Sequence, residues 1–165
     1  MWATLIALVI DGIPTVGLVS APALGRRWWA GLGVGAWTQS RIVGSDHTPR
    51  RLQVSGVSNL ADASFSYSDR EGWADRTATG FDALVSAVWR TRAYGDFYSH
   101  LLVAEGAVDI AAEPELSAWD IAALIPIITE AGGAVTGYDG SDALTANGAF
   151  TTNGLLHQAV KDCWV

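Results

Sequence analysis

The sequence is poor in sulfur and in positive charge: it holds one cysteine, Cys163, and one methionine, and Lys161 is its only lysine. A lone cysteine closes no internal disulfide, and no pair of Cys or His residues has the spacing of a zinc site. A disulfide-stapled scaffold and a zinc module are therefore excluded, and a reducing, cytoplasmic setting is expected. Lys and Arg number 10 against 17 Asp and Glu, which gives a formal net charge of -7. Such a chain has little basic surface for the phosphate contacts that dominate nucleic-acid affinity, so nucleic acid is not an expected partner. Long apolar runs are also scarce. The stretch from Met1 to Ile10 is too short to span a bilayer. It also lacks the plan of a signal peptide, because no Lys or Arg precedes Arg26 and Asp11-Gly12 interrupts it. It reads as a buried strand.

What the chain does have is apolar content: 50% of its 165 residues are hydrophobic, enough for a real core in one domain or a large piece of one. Two β-branched stretches, Trp2 to Ile10 and Thr15 to Val19, flank Asp11-Gly12, a dipeptide suited to the positive φ angles of a tight hairpin turn. After Ala21-Pro22, the segment Arg27 to Trp37 reads as a third strand, irregular at Gly31, Gly33 and Gly35. Those glycines make no phosphate loop, since no Gly-x-x-x-x-Gly-Lys follows. Gly44 to Arg51 is a polar loop, and Leu52 to Val54 and Ser64 to Tyr67 read as short strands.

Helical spacing of Phe81, Leu84, Val85 and Val88 predicts a helix over 81–89, and Phe97, Leu101, Leu102 and Ala104 predict another ending near Gly106. Thr91 to Tyr94 looks extended, and Val108 to Ala112 is a strand. Ser117 opens a helix through Glu130 that stops at Gly132-Gly133. Pro126 inside it predicts a kink, because an interior proline loses a hydrogen bond and clashes, at about 3 kcal/mol. A strand over 134–138 and a helix from about Leu155 close the chain. Strands first and alternation afterwards point to an α/β (α+β) layered sandwich.

The segment Glu113 to Asp120, EPELSAWD, carries the strongest chemical signal. Glu113 and Glu115 leave a strand and Asp120 sits in the first turn of a helix, so their carboxylates can converge on a cation or polar ligand. Asp120 also has the spacing of a capping box with Ser117, and Glu113 also reads as a solvated acid before Pro114. Asp96 reads equally as the N-cap of the following helix, and Arg92 as a surface ion-pair partner. His47, His100 and His157 have no metal-ligand spacing among them and read as structural or solvated. The eight tryptophans read chiefly as packing, with Trp28 and Trp29 marking a possible dimer contact.

A WD pair opening a helix that ends in EAGG, with an acid seven positions before the Asp, resembles the C-terminal signature of the inositol monophosphatase superfamily. RAYGDF from Arg92 to Phe97 is similar to the Arg-x-x-Gly segment ahead of that signature. VGLVSAPALGRRWWA is similar to the strands that follow the family's first metal motif. The resemblance runs along nearly the whole chain. It implies an incomplete αβαβα phosphatase fold, with 1–67 as first strands and 68–165 as the α/β C-terminal part of a single domain. It implies magnesium (Mg2+) as cofactor, Asp120 as a ligand of a second magnesium ion, and Glu113, Arg92, Gly95 and Asp96 around the substrate.

The Asp after Gly95, with the EPE stretch, is similar to the histidinol-phosphate phosphatase branch. An ammonium and a protonatable imidazole on the substrate would suit Asp96, Glu113 and Glu115, whereas neutral inositol needs only hydrogen bonds. An inositol or broader sugar-phosphate phosphatase is the alternative of the same class, and a noncatalytic remnant the alternative of another. The family's GEE-like and DPIDGT-like metal motifs do not occur here. By the resemblance they precede this stretch, and a start position set too late, a split gene and a truncation each account for that. Two helices covering the first sheet would go with them, leaving Trp2 to Ile10 exposed or mispaired.

Overall fold

Alternation dominates the first strands. Along β1 (Thr4–Ile10) Leu5 and Ala7 turn toward the core while Ile6 and Leu8 turn away, the two-residue period of a strand with one covered face. The computed structural model describes residues 2–42, 44, 46–73 and 78–164. Asp11 and Gly12, at φ 50 and 80, make the turn into β2 (Ile13–Ala21), so the expected hairpin forms. β3 (Arg26–Gly31), β4 (Gly35–Ser40) and the short β5 (Arg50–Arg51) continue an antiparallel meander in the order β1-β2-β3-β4-β5.

One expectation changes here, and a second holds in part. The stretch 27–37 is two strands, because Gly33 and Gly35 at φ 73 and 92 fold back instead of bulging. The Glu130 carboxylate accepts the N–H groups of both glycines, at 2.8 and 2.7 Å, and pins that turn. The run Trp2 to Ile10 is buried on one face only: Leu5 and Ala7 pack on the core, but Trp2 is 68% exposed and Ile6 56% exposed on the other face, in line with the expectation of a run left exposed.

The second sheet has the order β7-β6-β8-β10-β9, built from β6 (Ser64–Ser66), β7 (Arg90–Arg92), β8 (Ile110–Glu113), β9 (Ala134–Thr136) and β10 (Ala149–Thr152). β6 pairs parallel with β7 and β8, and β10 pairs antiparallel with β8 and β9. Leu52 to Val54 forms no strand and β10 was not foreseen: AFTT is short and lies between polar, glycine-rich segments with no repeated alternation.

Helices fill the layers. α1 (Ala78–Ala87) and α5 (His157–Lys161) cover one face of the second sheet through Phe81, Leu84, Leu156 and Val160. α2 (Asp96–Ala104) lies between the sheets and is buried from Phe97 onward except for half-buried Tyr98. The expected helix 118–130 is two pieces, α3 (Ala118–Ile121) and α4 (Leu124–Glu130). No kink arises at Pro126, because the chain breaks ahead of it and proline falls in the first turn of α4, where a missing N–H costs little.

α4 packs on β2, β3 and β4, and against α2. Val19, Trp28, Leu101, Leu124, Ile127 and Ile128 form the core between the sheets. Trp28 belongs wholly to that core, with its indole N–H on the Glu105 carboxylate, so it is no surface contact. The layers therefore run sheet, helix, sheet, helix, the layered α/β fold expected.

Candidate functional site

Three ends meet beside the first strand: the C-terminus of β8, the start of α2 and the start of α3. Between them lies a cavity of about 380 Å³ lined by Asp96, His100, Glu113, Glu115 and Asp120, with Phe97, Leu116 and Leu124 as apolar walls. Glu113 and Asp120, whose positions in the sequence suggested convergence, and Asp96, which the resemblance implied, are thus brought together. Arg92, on β7, is exposed and turns its guanidinium onto the Thr91 carbonyl at 2.7 Å. Gly95, at φ 81, shapes the entry to α2.

Gly95 itself holds the cap position, so Asp96 is the first residue of α2 and not its N-cap. Asp96 takes φ 49, a left-handed angle that Asp tolerates better than most residues. Its backbone N–H donates to the Ser68 hydroxyl at 2.9 Å, and that hydroxyl donates to Glu113 Oε1 at 2.7 Å. Ser68, which the sequence did not flag, therefore joins the two acids. The only available signal was its place just after a short strand, where ligand-facing loops are common.

Glu113 is 5% exposed. Burial pushes its carboxyl up to about 7; the Ser68 hydrogen bond works against that, while the charges of Asp96 and Asp69 add to it. A carboxyl in that range can sit neutral in an empty site and ionise when a cation arrives. The backbone carbonyl of Glu113 accepts from Tyr138 at 2.5 Å, which fixes the strand end.

Asp120 is exposed, and the expected capping box with Ser117 forms. Its Oδ2 accepts the Ser117 N–H at 3.0 Å, one half of a capping box, while the carboxylate lines the cavity. Glu115 is exposed at the rim. His157 is held by Thr136 and Thr152 at 3.1 Å each, and His47 is an exposed loop residue, both as expected of structural or solvated groups. His100 differs: it is wholly buried and lines the cavity.

The inositol monophosphatase family profile matches residues 1–164. This chain belongs to the inositol monophosphatase family. Curated relatives include a histidinol-phosphatase of Mycobacterium tuberculosis, 53% identical over 161 residues that make up 97% of this chain and 60% of the relative. A histidinol-phosphatase of Streptomyces coelicolor is 55% identical over 162 residues, 95% of this chain and 59% of the relative. Among solved structures, an inositol monophosphatase from Anabaena superposes with a TM-score of 0.83 at 27% identity, covering 99% of this chain and 63% of that one. The chain thus spans about 60% of the length of the curated relatives it matches.

Metal ions are a property of the family, and the donors present here meet that chemistry only in part. Asp120 offers an exposed carboxylate in an acid-lined cavity, the chemistry a hard cation needs. Yet among the described residues no group of three or more His, Cys, Asp or Glu is disposed to hold a metal ion. Among the described residues, then, no complete metal site is present. No helix among the described residues is long and apolar enough to cross a membrane.

Proposed function

We propose that this chain is the C-terminal part of a single-domain, magnesium-dependent phosphate monoester hydrolase whose substrate is L-histidinol phosphate. The observation that carries the reading is the gathering of Asp96, Glu113, Glu115 and Asp120 around one cavity beside apolar walls. Such a site suits a small molecule with a cationic end and a compact ring, and it suits neutral inositol less well. The identity to two histidinol-phosphatases, 53% and 55%, supports the same substrate.

In this reading Asp120 is a metal ligand, and a bound magnesium ion would help activate water and neutralise phosphate charge. Glu113 and Asp96 orient the substrate's organic part, with Ser68 fixing the distance between them and Arg92 and Gly95 setting the approach to α2. Phe97, Leu116 and Leu124 exclude water from the ring. A cytoplasmic homodimer accompanies the proposal. The lack of a three-ligand cluster among the described residues favours a second reading, in which the chain is a noncatalytic remnant.

Phosphate release from L-histidinol phosphate and from myo-inositol 1-phosphate decides between them. It is measured for this chain alone and mixed with the segment of the Streptomyces relative outside the matched stretch, with and without magnesium. Magnesium-dependent release from L-histidinol phosphate in the mixture, lost in Asp96→Ser, is the expected result. Turnover that survives Asp96→Ser intact removes the charge-pairing argument. No release in any mixture leaves the remnant reading.

A further inference from the structure

Along the cavity wall stands a polar group that the acids do not use. His100 comes from the buried helix α2 and is wholly shielded from water. Its Nδ1 stands 2.7 Å from the Thr151 hydroxyl on β10. Its Nε2 has no hydrogen-bond partner among the described residues, although the side chain lines the cavity. A buried nitrogen without a partner is unfavourable, and such groups in folded proteins call for an explanation. The side chain borders the cavity, and a small opening of that wall would let a partner reach the nitrogen.

The protonation state follows from the surroundings. Burial holds the imidazole neutral, its pKa lowered to about 4, so one ring nitrogen carries a proton and the other accepts. The Thr151 hydroxyl is buried and makes no other hydrogen bond among the described residues, so its proton is best spent on Nδ1. Nε2 then carries the hydrogen. The acids lining the cavity are acceptors when ionised, and the other indole or imidazole donor of the lining, Trp2, stands 68% exposed at the rim. The buried wall thus offers a donor where the rest of the site offers acceptors.

We propose that His100 is a specificity-determining residue of this cavity, donating its Nε2–H to a hydroxyl oxygen or ring nitrogen on the organic part of a bound phosphate ester. The inference rests on the phosphate-ester reading above and adds a second recognition chemistry to it. Acids select the cationic end of the ligand, and His100 selects an acceptor atom at the opposite end. A ligand with the cation but without that acceptor would leave Nε2 unpaired and lose affinity.

The test uses this chain labelled with 15N-histidine, whose three histidines give separable ring signals. Long-range proton–nitrogen spectra of the free chain are expected to show His100 in the Nε2–H tautomer, unchanged between about pH 5.5 and 8. Adding L-histidinol phosphate should move its Nε2 signal and leave that of His47 in place. His100→Phe should weaken binding about tenfold, the loss of one buried hydrogen bond, while His100→Gln keeps most of the affinity. The glutamine variant guards against a folding defect in the phenylalanine one. An Nδ1–H tautomer overturns the inference. So does binding with unmoved His100 signals and an unchanged Kd in His100→Phe, which leaves the substrate reading standing. Absence of binding by both L-histidinol phosphate and myo-inositol 1-phosphate removes the substrate reading and this inference with it.

Discussion

The Ser68 hydroxyl donates to Glu113 Oε1 at 2.7 Å, joining residues 45 apart in sequence. That bond favours the charged carboxylate, but burial outweighs it and keeps the Glu113 pKa near 7. Because the folded pKa lies above the unfolded one, folding retains a proton on Glu113. Stability is therefore fullest below about pH 4.5 as far as this group is concerned, and declines as pH rises through about 7. The span corresponds to about 3 kcal/mol at most. Urea denaturation of the wild type and Glu113→Gln across that range should show the decline in the first and its absence in the second. Ser68→Ala should move the midpoint of the decline upward.

Asp120 has a modest structural duty, a single bond to the Ser117 N–H. Asp120→Asn keeps an acceptor there, and the expected stability loss is about 1 kcal/mol or less, read from the thermal midpoint. The same variant should abolish any magnesium-dependent phosphate release. A large stability loss would mean that capping is the residue's main work.

Glu105 ties the second helix to the first sheet. It pairs with Arg26 at 2.6 Å and also accepts the Trp28 indole N–H, and its side chain is 8% exposed. Glu105→Ala strands a partly buried guanidinium and a buried indole, at an expected cost of about 3 kcal/mol. Glu105→Gln, which keeps an acceptor, should cost less. Chemical denaturation with a double-mutant cycle against Arg26→Met isolates the pair from the indole bond.

Gly17 lies where β2 meets the break between α3 and α4. A Cβ built there would sit 2.0 Å from the Ala123 carbonyl oxygen, which is backbone and cannot rotate away. Gly17→Ala should therefore destabilise by about 1–3 kcal/mol, measured by urea denaturation. Gly12→Ala adds no such clash, since nothing lies within 4 Å of its built Cβ, and its penalty should be limited to the strain of φ 80.

Much was legible from local pattern. The Asp11-Gly12 hairpin, the helices around Leu84 and Leu101 and the strand before Glu113 follow from turn chemistry and periodicity that act over a few residues. Other features needed the assembled fold. AFTT at 149–152 becomes a strand because β8 and β9 offer edges on both sides. The break before Pro126 is fitted to the close passage of Gly17. Ser68 and His100 gain their places in the site through partners 45 and 51 residues away.

The sequence by itself determined the family, through EPELSAWD, EAGG and RAYGDF, and it determined the acidic character of the site. Those are properties of residue type and spacing, which a linear chain carries in full. Only the tertiary structure decided that Asp96, Glu113 and Asp120 face one cavity, that Trp28 is core, and that His100 is buried beside that cavity with a nitrogen unpaired among the described residues. Burial and pairing are set by groups distant along the chain, and they alone move a carboxyl toward neutrality or leave an imidazole without a partner.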